Sequence, residues 1–305
     1  MDLSGRRNRT VSEQVIKWLL TACAAFTLLT TLGIIFILLY ESLEFFAEVP
    51  VWDFLFGNEW TALFPEQASF GVLPLVRGTV VIALISACIS IPLGLMAAIY
   101  LSEYAGDRAR SILKPILEIL AGVPTIVYGF FALKFITPNL IQPILDVGVF
   151  NGLAAGIAVG ILTLPLVASL SEDALRAVPM SLREAAFGLG ATRFETAVRV
   201  VVPAAVSGVI ASFILAISRA IGETMIVALA AGSRPAGGGA SGDWDATQSM
   251  QTMTGFIAQA FSGDVPRGTT QFYSLFGVGL VLFVMTLGMN ILSHWVARRF
   301  REEYQ

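Results

Sequence analysis

Six stretches of this chain, 19–40, 78–101, 116–136, 152–170, 204–231 and 273–296, are apolar almost throughout. A helix rises 1.5 Å per residue, so about twenty residues cross a hydrocarbon core of about 30 Å. No water reaches backbone N–H and C=O groups there, and a crossing segment must satisfy them within itself or in a closed barrel. Continuous apolar runs of this length specify helices. The fold class that follows is an all-α membrane protein with six transmembrane helices. Composition agrees: of 305 residues, 56% are hydrophobic and 13% charged, where a soluble domain carries about 25% charged.

Several function classes fall away on charge and residue type. The net charge of −3 offers no basic field for nucleic acid. Cys23 and Cys88 lie in apolar runs and make neither a disulfide framework nor a metal cluster, and a single histidine, His294, leaves no metal site. Arg6, Arg7, Arg9 and Lys17 precede the first apolar run, as in a signal peptide. That run has spanning length and ends without a small-residue cleavage site, so it reads as a retained helix. No G-x-x-x-x-G-K-[ST] run is present, and the chain is expected to bind no nucleotide through that motif and no cofactor of its own.

With the N-terminus placed in the cytoplasm, fourteen lysines and arginines fall inside and four, Arg77, Lys134, Arg234 and Arg267, fall outside or at the outer boundary. That asymmetry predicts cytoplasmic termini at both ends. The expected organisation is a cytoplasmic segment at 1–18 and a first helix at 19–40. An extracytoplasmic segment follows at 41–77, then a five-helix core at 78–298 and a tail at 299–305. Trp52, Phe54, Phe56 and Trp60 suggest pieces lying at the outer interface. A short second outer segment is expected at 137–150, and a third at 233–271 holds the glycine-rich run 236–240 and a possible short helix at 250–261. Solvated connection is the plainer reading of the first and third outer segments, with a gate or docking role as the alternative.

Inside the membrane, Gly152, Gly156 and Gly160 recur every four residues and make one smooth helix face for close packing. Pro92, Pro124 and Pro165 are internal to three spans and predict bends. Arg219 and Glu223, spaced i, i+4 within the fifth span, are expected on one helix face about 6 Å apart. A charge at that depth costs at least about 2.5–3.5 kcal/mol, and either structural pairing or a polar route would account for it. An arginine there favours an oxyanion, with Thr125, Ser218 and Thr224 as further hydroxyl donors. Glu118 is expected to pair with Lys114 near the inner boundary. The inner segment 171–203 carries apolar residues at helical spacing and reads as two short helices joined near 188–191, with an amphipathic surface that a soluble partner could cover.

Glu184-Ala185-Ala186, Gly190 and Val200–Pro203 in that segment resemble the EAA loop of ATP-binding-cassette importer permeases. Further runs, 71–79, 99–105, 122–130 and 219–225, resemble the phosphate-specific (Pst) permeases, and the aromatic-rich outer segment is more similar to the PstC than to the PstA type. The resemblance implies a type I importer permease in a bacterial plasma membrane, importing inorganic phosphate. It implies a PstA-like second permease, two copies of a cytoplasmic ATPase holding ATP and Mg, and an extracytoplasmic phosphate-binding protein. It assigns ATPase coupling to Glu184, Ala185, Ala186 and Gly190, and transport to Arg219 and Glu223. Competing readings are a permease for sulfate or molybdate, an ion-coupled secondary transporter, and an intramembrane enzyme. For the last, the H-E-x-x-H and G-x-S-x-G patterns are missing.

Overall fold

The computed structural model describes residues 4–63, 68–234, 244–263 and 265–299, with side chains described from residue 13 onward. The glycine-rich run 236–240, the side chains of Arg6, Arg7 and Arg9, and the tail beyond Arg299 lie outside the described residues. Regular structure among the described residues is helical, apart from one isolated antiparallel bridge between Trp60 and Phe70. In chain order the helices begin with α1 (Ser4–Glu48), α2 (Val51–Phe56) and α3 (Leu73–Ile99), the last widening into a π-type turn at Tyr100–Tyr104. Next come α4 (Asp107–Gly122), α5 (Thr125–Phe131), continued by a π-type stretch at Ala132–Ile141, and α6 (Gly152–Arg176). Then follow α7 (Met180–Gly188), α8 (Arg193–Thr196), a π-type turn at Ala197–Val201, and α9 (Val202–Ala204). The chain closes with α10 (Val206–Ile221), α11 (Met225–Ala230), α12 (Met253–Ser262) and α13 (Thr270–Arg299).

Four helices are long and apolar enough to cross a membrane, and six spans result if each of two bent pairs counts as one. The bend expected at Pro124 is a full break, and the fifth span, for which no bend was expected, is broken as well. The third is broken by 88° between α4 and α5. Pro124 has no N–H, and its ring drives Val123 out of the helical region to ψ 131°. The Leu120 carbonyl, which a residue at 124 would normally occupy, instead accepts the Tyr128 hydroxyl at 2.7 Å. The fifth begins with a 74° bend between α9 and α10 and stops at Ile221, well short of 231. Pro92 and Pro165, by contrast, sit inside α3 and α6, which run through them as continuous helices. The fourth helix also outlasts its expected end at 170, reaching Arg176.

The centre of the molecule is the α3–α6 pair. A Cβ at Gly156 would lie 2.6 Å from Ile85 Cγ2, and one at Gly160 would lie 3.0 Å from Ile89 Cβ, so the glycine face lets the two backbones close on each other. Gly152 faces Met250 of the outer segment instead. Buried hydroxyl pairs cross the helices, Ser86 to Thr163 at 3.2 Å and Ser171 to Ser212 at 2.8 Å. The outer segments are not the solvated connections expected. Phe45, Phe54, Trp60, Met253 and Phe256 are buried in one cluster with α13, and the Trp60 and Phe256 rings meet edge-on at 4.7 Å. Trp52 and Phe56 alone of the expected interfacial quartet stay exposed, stacked on each other. α1 touches the rest through its C-terminal end, where the Ser42 hydroxyl donates to the Phe276 carbonyl. Trp18, Phe26, Leu29 and Phe36 along its length are exposed, as suits a helix whose solvent is lipid.

Candidate functional site

A cavity of about 320 Å³ opens between α4, α6 and α10. Lys114, Glu118, Pro165, Ser169, Glu172 and Arg219 are among the residues lining it. Arg219 is exposed to it and makes no ion pair or hydrogen bond among the described residues. The expected pairing with Glu223 is absent because the helix that would have aligned the two ends at Ile221. Beyond Gly222 the Glu223 carboxylate turns onto the start of α11, accepting the Met225 N–H at 3.2 Å and the Ile226 N–H at 3.4 Å. Its own carbonyl accepts the Thr254 hydroxyl at 2.7 Å, which fastens the break to α12. A carboxylate at a helix start is favoured there by the exposed N–H groups.

Of the other expected path residues, none lines this cavity. The Ser218 hydroxyl donates to Asn290 Oδ1 on α13 at 3.4 Å, and the Thr224 hydroxyl donates to the Gly222 carbonyl at 3.3 Å. Thr125 stands, half-buried, just after the Pro124 break. The half-helices that follow the two breaks pack together: a Cβ at Gly129 of α5 would lie 2.8 Å from Leu229 Cδ1 of α11.

The expected Lys114–Glu118 pair also gives way. Lys114 reaches across to α6, donating to Glu172 at 3.0 Å and Asp173 at 3.4 Å. Glu172 is fully buried and collects two further cations, Arg110 at 2.6 Å and Arg176 at 3.8 Å. Burying one carboxylate among three cations offsets its desolvation. Glu118 is left exposed on the cavity wall with no partner among the described residues. Nothing in the local sequence separates Glu172 from Asp173 or Glu184. Only the turn of α6 past residue 170 buries it.

The segment between α6 and α10 holds the two expected helices. Gly190 ends the first with φ 86°, and the Gly190 and Ala191 N–H groups return to Phe187 and Ala186 carbonyls, closing the last turn. Thr192 starts the second: its hydroxyl accepts the Glu195 N–H, while the Glu195 carboxylate accepts from the Thr192 N–H and hydroxyl. Those two donors hold the Glu195 carboxyl below the usual carboxylate range. Glu184 and Ala185 are exposed, Ala186 is buried, and Leu189 at the tip is 90% exposed beside exposed Phe187 and Phe194.

Arg183 fastens this segment to the core. Its guanidinium donates to both Glu103 oxygens, at 3.2 and 2.9 Å, and to the carbonyls of Val178 at 2.6 Å and Leu175 at 2.8 Å. Glu103 lies in the π-type turn at the end of α3, so one side chain joins α7, the end of α6 and the end of α3. An open cavity of about 590 Å³ lies beside the contact, with Asp107, Arg110, Arg176 and Arg193 also on its wall.

Known proteins with related sequences and folds narrow the reading. The family model described as "Binding-protein-dependent transport system inner membrane component" matches residues 90–302. The chain is 31% identical over 303 residues to a Bacillus subtilis protein named a probable ABC transporter permease, YqgH, covering 97% of this chain and 94% of that one. It is 32% identical to the phosphate transport system permease protein PstC of Mesorhizobium japonicum, covering 92% and 88%. In fold it is similar to a chain of a bacterial ABC transporter that imports alginate, with a TM-score of 0.61 at 15% identity, covering 96% and 100%. The chain belongs to the binding-protein-dependent inner membrane components, as a multi-pass permease subunit of an ABC importer.

Proposed function

We propose that the chain is one of two permease subunits of an ATP-driven importer of inorganic phosphate. The observation that carries the proposal is Arg219, an unpaired guanidinium facing a cavity of about 320 Å³ between spanning helices. A cation without a partner at this depth is costly, and an oxyanion in transit would meet its fork of donors. The names of relatives, PstC among them, favour phosphate over other oxyanions. Delivery would come from an extracytoplasmic phosphate-binding protein, and a PstA-like permease would complete the path. Two cytoplasmic ATPase copies, holding ATP and Mg, would take the surface around Glu184, Ala185, Phe187 and Leu189. Ala186 and Gly190 would serve that contact indirectly, by seating α7 and shaping its end.

Motion of α7 would pass through Arg183 to the ends of α3 and α6, and the breaks at Pro124 and Gly222 would let the half-helices move against one another. The test is labelled phosphate uptake into liposomes holding the chain with its permease, ATPase and binding-protein partners, ATP inside, and sulfate and molybdate as competitors. ATP-dependent uptake that resists both competitors is expected, and Arg219→Ala should abolish it while the complex still co-purifies. Uptake without ATP, or an Arg219→Ala complex importing at the normal rate, would overturn the reading.

A further inference from the structure

The cavity that Arg219 lines presents a second unpartnered charge. Glu118 lines it from α4, exposed and without a hydrogen bond or ion pair among the described residues. Lys114 and Glu172, the other two charges on the wall, are committed to each other at 3.0 Å. What the cavity offers an incoming ion is one free guanidinium and one free carboxylate. A carboxylate facing an anion repels it unless the anion brings a hydrogen to share. Phosphate near neutral pH carries at least one P–OH. Sulfate and molybdate carry none.

Building on the phosphate-path reading above, we propose that Glu118 is a specificity-determining residue, accepting a hydrogen bond from a protonated oxyanion whose other oxygens lie on Arg219. The pairing resolves the difficulty that a lone arginine attracts every oxyanion by charge alone. For phosphate or arsenate, Glu118 adds a charge-assisted hydrogen bond. For sulfate, the same carboxylate meets an acceptor and adds repulsion with no hydrogen bond to offset it. The difference between a satisfied and an unsatisfied polar group at a site gives strong discrimination when water is excluded. In this water-open cavity it should amount to about ten- to a hundredfold in relative affinity. The volume suits an ion that keeps part of its water: at about 30 Å³ per water, the space equals about ten water molecules. Ser169 adds a hydroxyl on the α6 side that either donates or accepts.

The test must read the permease itself, because a binding protein would filter ions before they reach the cavity. Ser169→Cys, in an importer with Cys23 and Cys88 replaced by Ser, places a thiol on the cavity wall. Its rate of labelling by a charged thiol reagent is measured in the purified complex of permeases and ATPase without the binding protein. Phosphate and arsenate are expected to slow labelling at concentrations about ten- to a hundredfold below those needed for sulfate. Glu118→Gln, whose amide both donates and accepts, should bring sulfate level with phosphate. Arg219→Gln should remove protection by all of them. If sulfate protects as well as phosphate in the otherwise unchanged complex, Glu118 does not discriminate, while the cavity stays an oxyanion site. If discrimination persists in Glu118→Gln, the proposal also fails. If no oxyanion protects, the path reading itself falls, and with it this inference.

Discussion

Removing the Arg183 guanidinium should release α7 from the core without unfolding the spans. The side chains of Arg183 and Glu103 are 10% and 8% exposed, and Arg183 makes four hydrogen bonds, to Glu103 at the end of α3, to Leu175 of α6 and to Val178 in the link between α6 and α7. Breaking a buried ion pair by deleting one partner costs about 3–5 kcal/mol, because the other charge stays buried and unpaired. The neighbouring open cavity lets water reach Glu103, so the lower end, about 3 kcal/mol, is the better figure. Concentrated on one nine-residue helix, that raises its local opening about a hundredfold. Hydrogen exchange of the α7 amides in Arg183→Ala should speed up by that factor, with exchange in α3 and α6 away from Glu103 unchanged. In the reconstituted importer the same variant should consume more ATP per phosphate imported. Arg183→Lys should recover part of both, since one ammonium replaces the charge but not the fork to Glu103 and two carbonyls. A double-mutant cycle with Glu103→Gln should show coupling of about 0.5–3 kcal/mol. Unchanged α7 exchange in Arg183→Ala would refute the reasoning, because the clamp would then hold nothing.

Three further outcomes follow from the packing and the breaks. Gly156→Ala should lower the stability of the solubilised protein by about 1–3 kcal/mol in a melting measurement, because the added Cβ meets Ile85 Cγ2 at 2.6 Å and Ile85 Cβ at 2.7 Å. Tyr128→Phe should cost about 0.5–1.5 kcal/mol in the same melting measurement, since the Leu120 carbonyl loses its short donor at 2.7 Å and keeps only the Val123 N–H at 3.4 Å. The Glu195 carboxyl is held low by the Thr192 donors, so its contribution to the start of α8 is fully present above its unfolded value of about 4.3 and fades as pH falls through the lowered folded one. Amide protection at Glu195 should accordingly drop in acid, and Glu195→Gln should flatten that dependence.

Length and apolarity made the spans legible, and the glycine spacing made the α3–α6 contact legible at Gly156 and Gly160. The helix pair around Gly190 and the short helix at Met253–Ser262 also followed from periodicity and turn residues. The breaks were harder. Apolar residues on both sides of Gly222 look continuous to any count of hydrophobicity, yet the Glu223 carboxylate reaches the start of α11 only once the helix has stopped. That single event turned an anticipated ion pair into a free Arg219. Proline at 124 announced a bend, but not a break of 88°. Contacts far apart in sequence were the least legible: Glu103 with Arg183 is separated by 80 residues, and neither has a local feature that marks the other.

α4 has no buried residue, and its charged hold on α6 runs through Glu172 and Asp173. Its attachment is therefore a matter of timing as well as of energy. Lys114 leaves the ribosome 58 residues ahead of Glu172. Of the apolar residues of α4, Leu120 packs partly buried against the core while Ile112, Ile116 and Ile119 are exposed, an amphipathic surface suited to the membrane–water boundary. α4 is thus expected to settle fully against the core only once α6 supplies Glu172 and Asp173 to receive its cations.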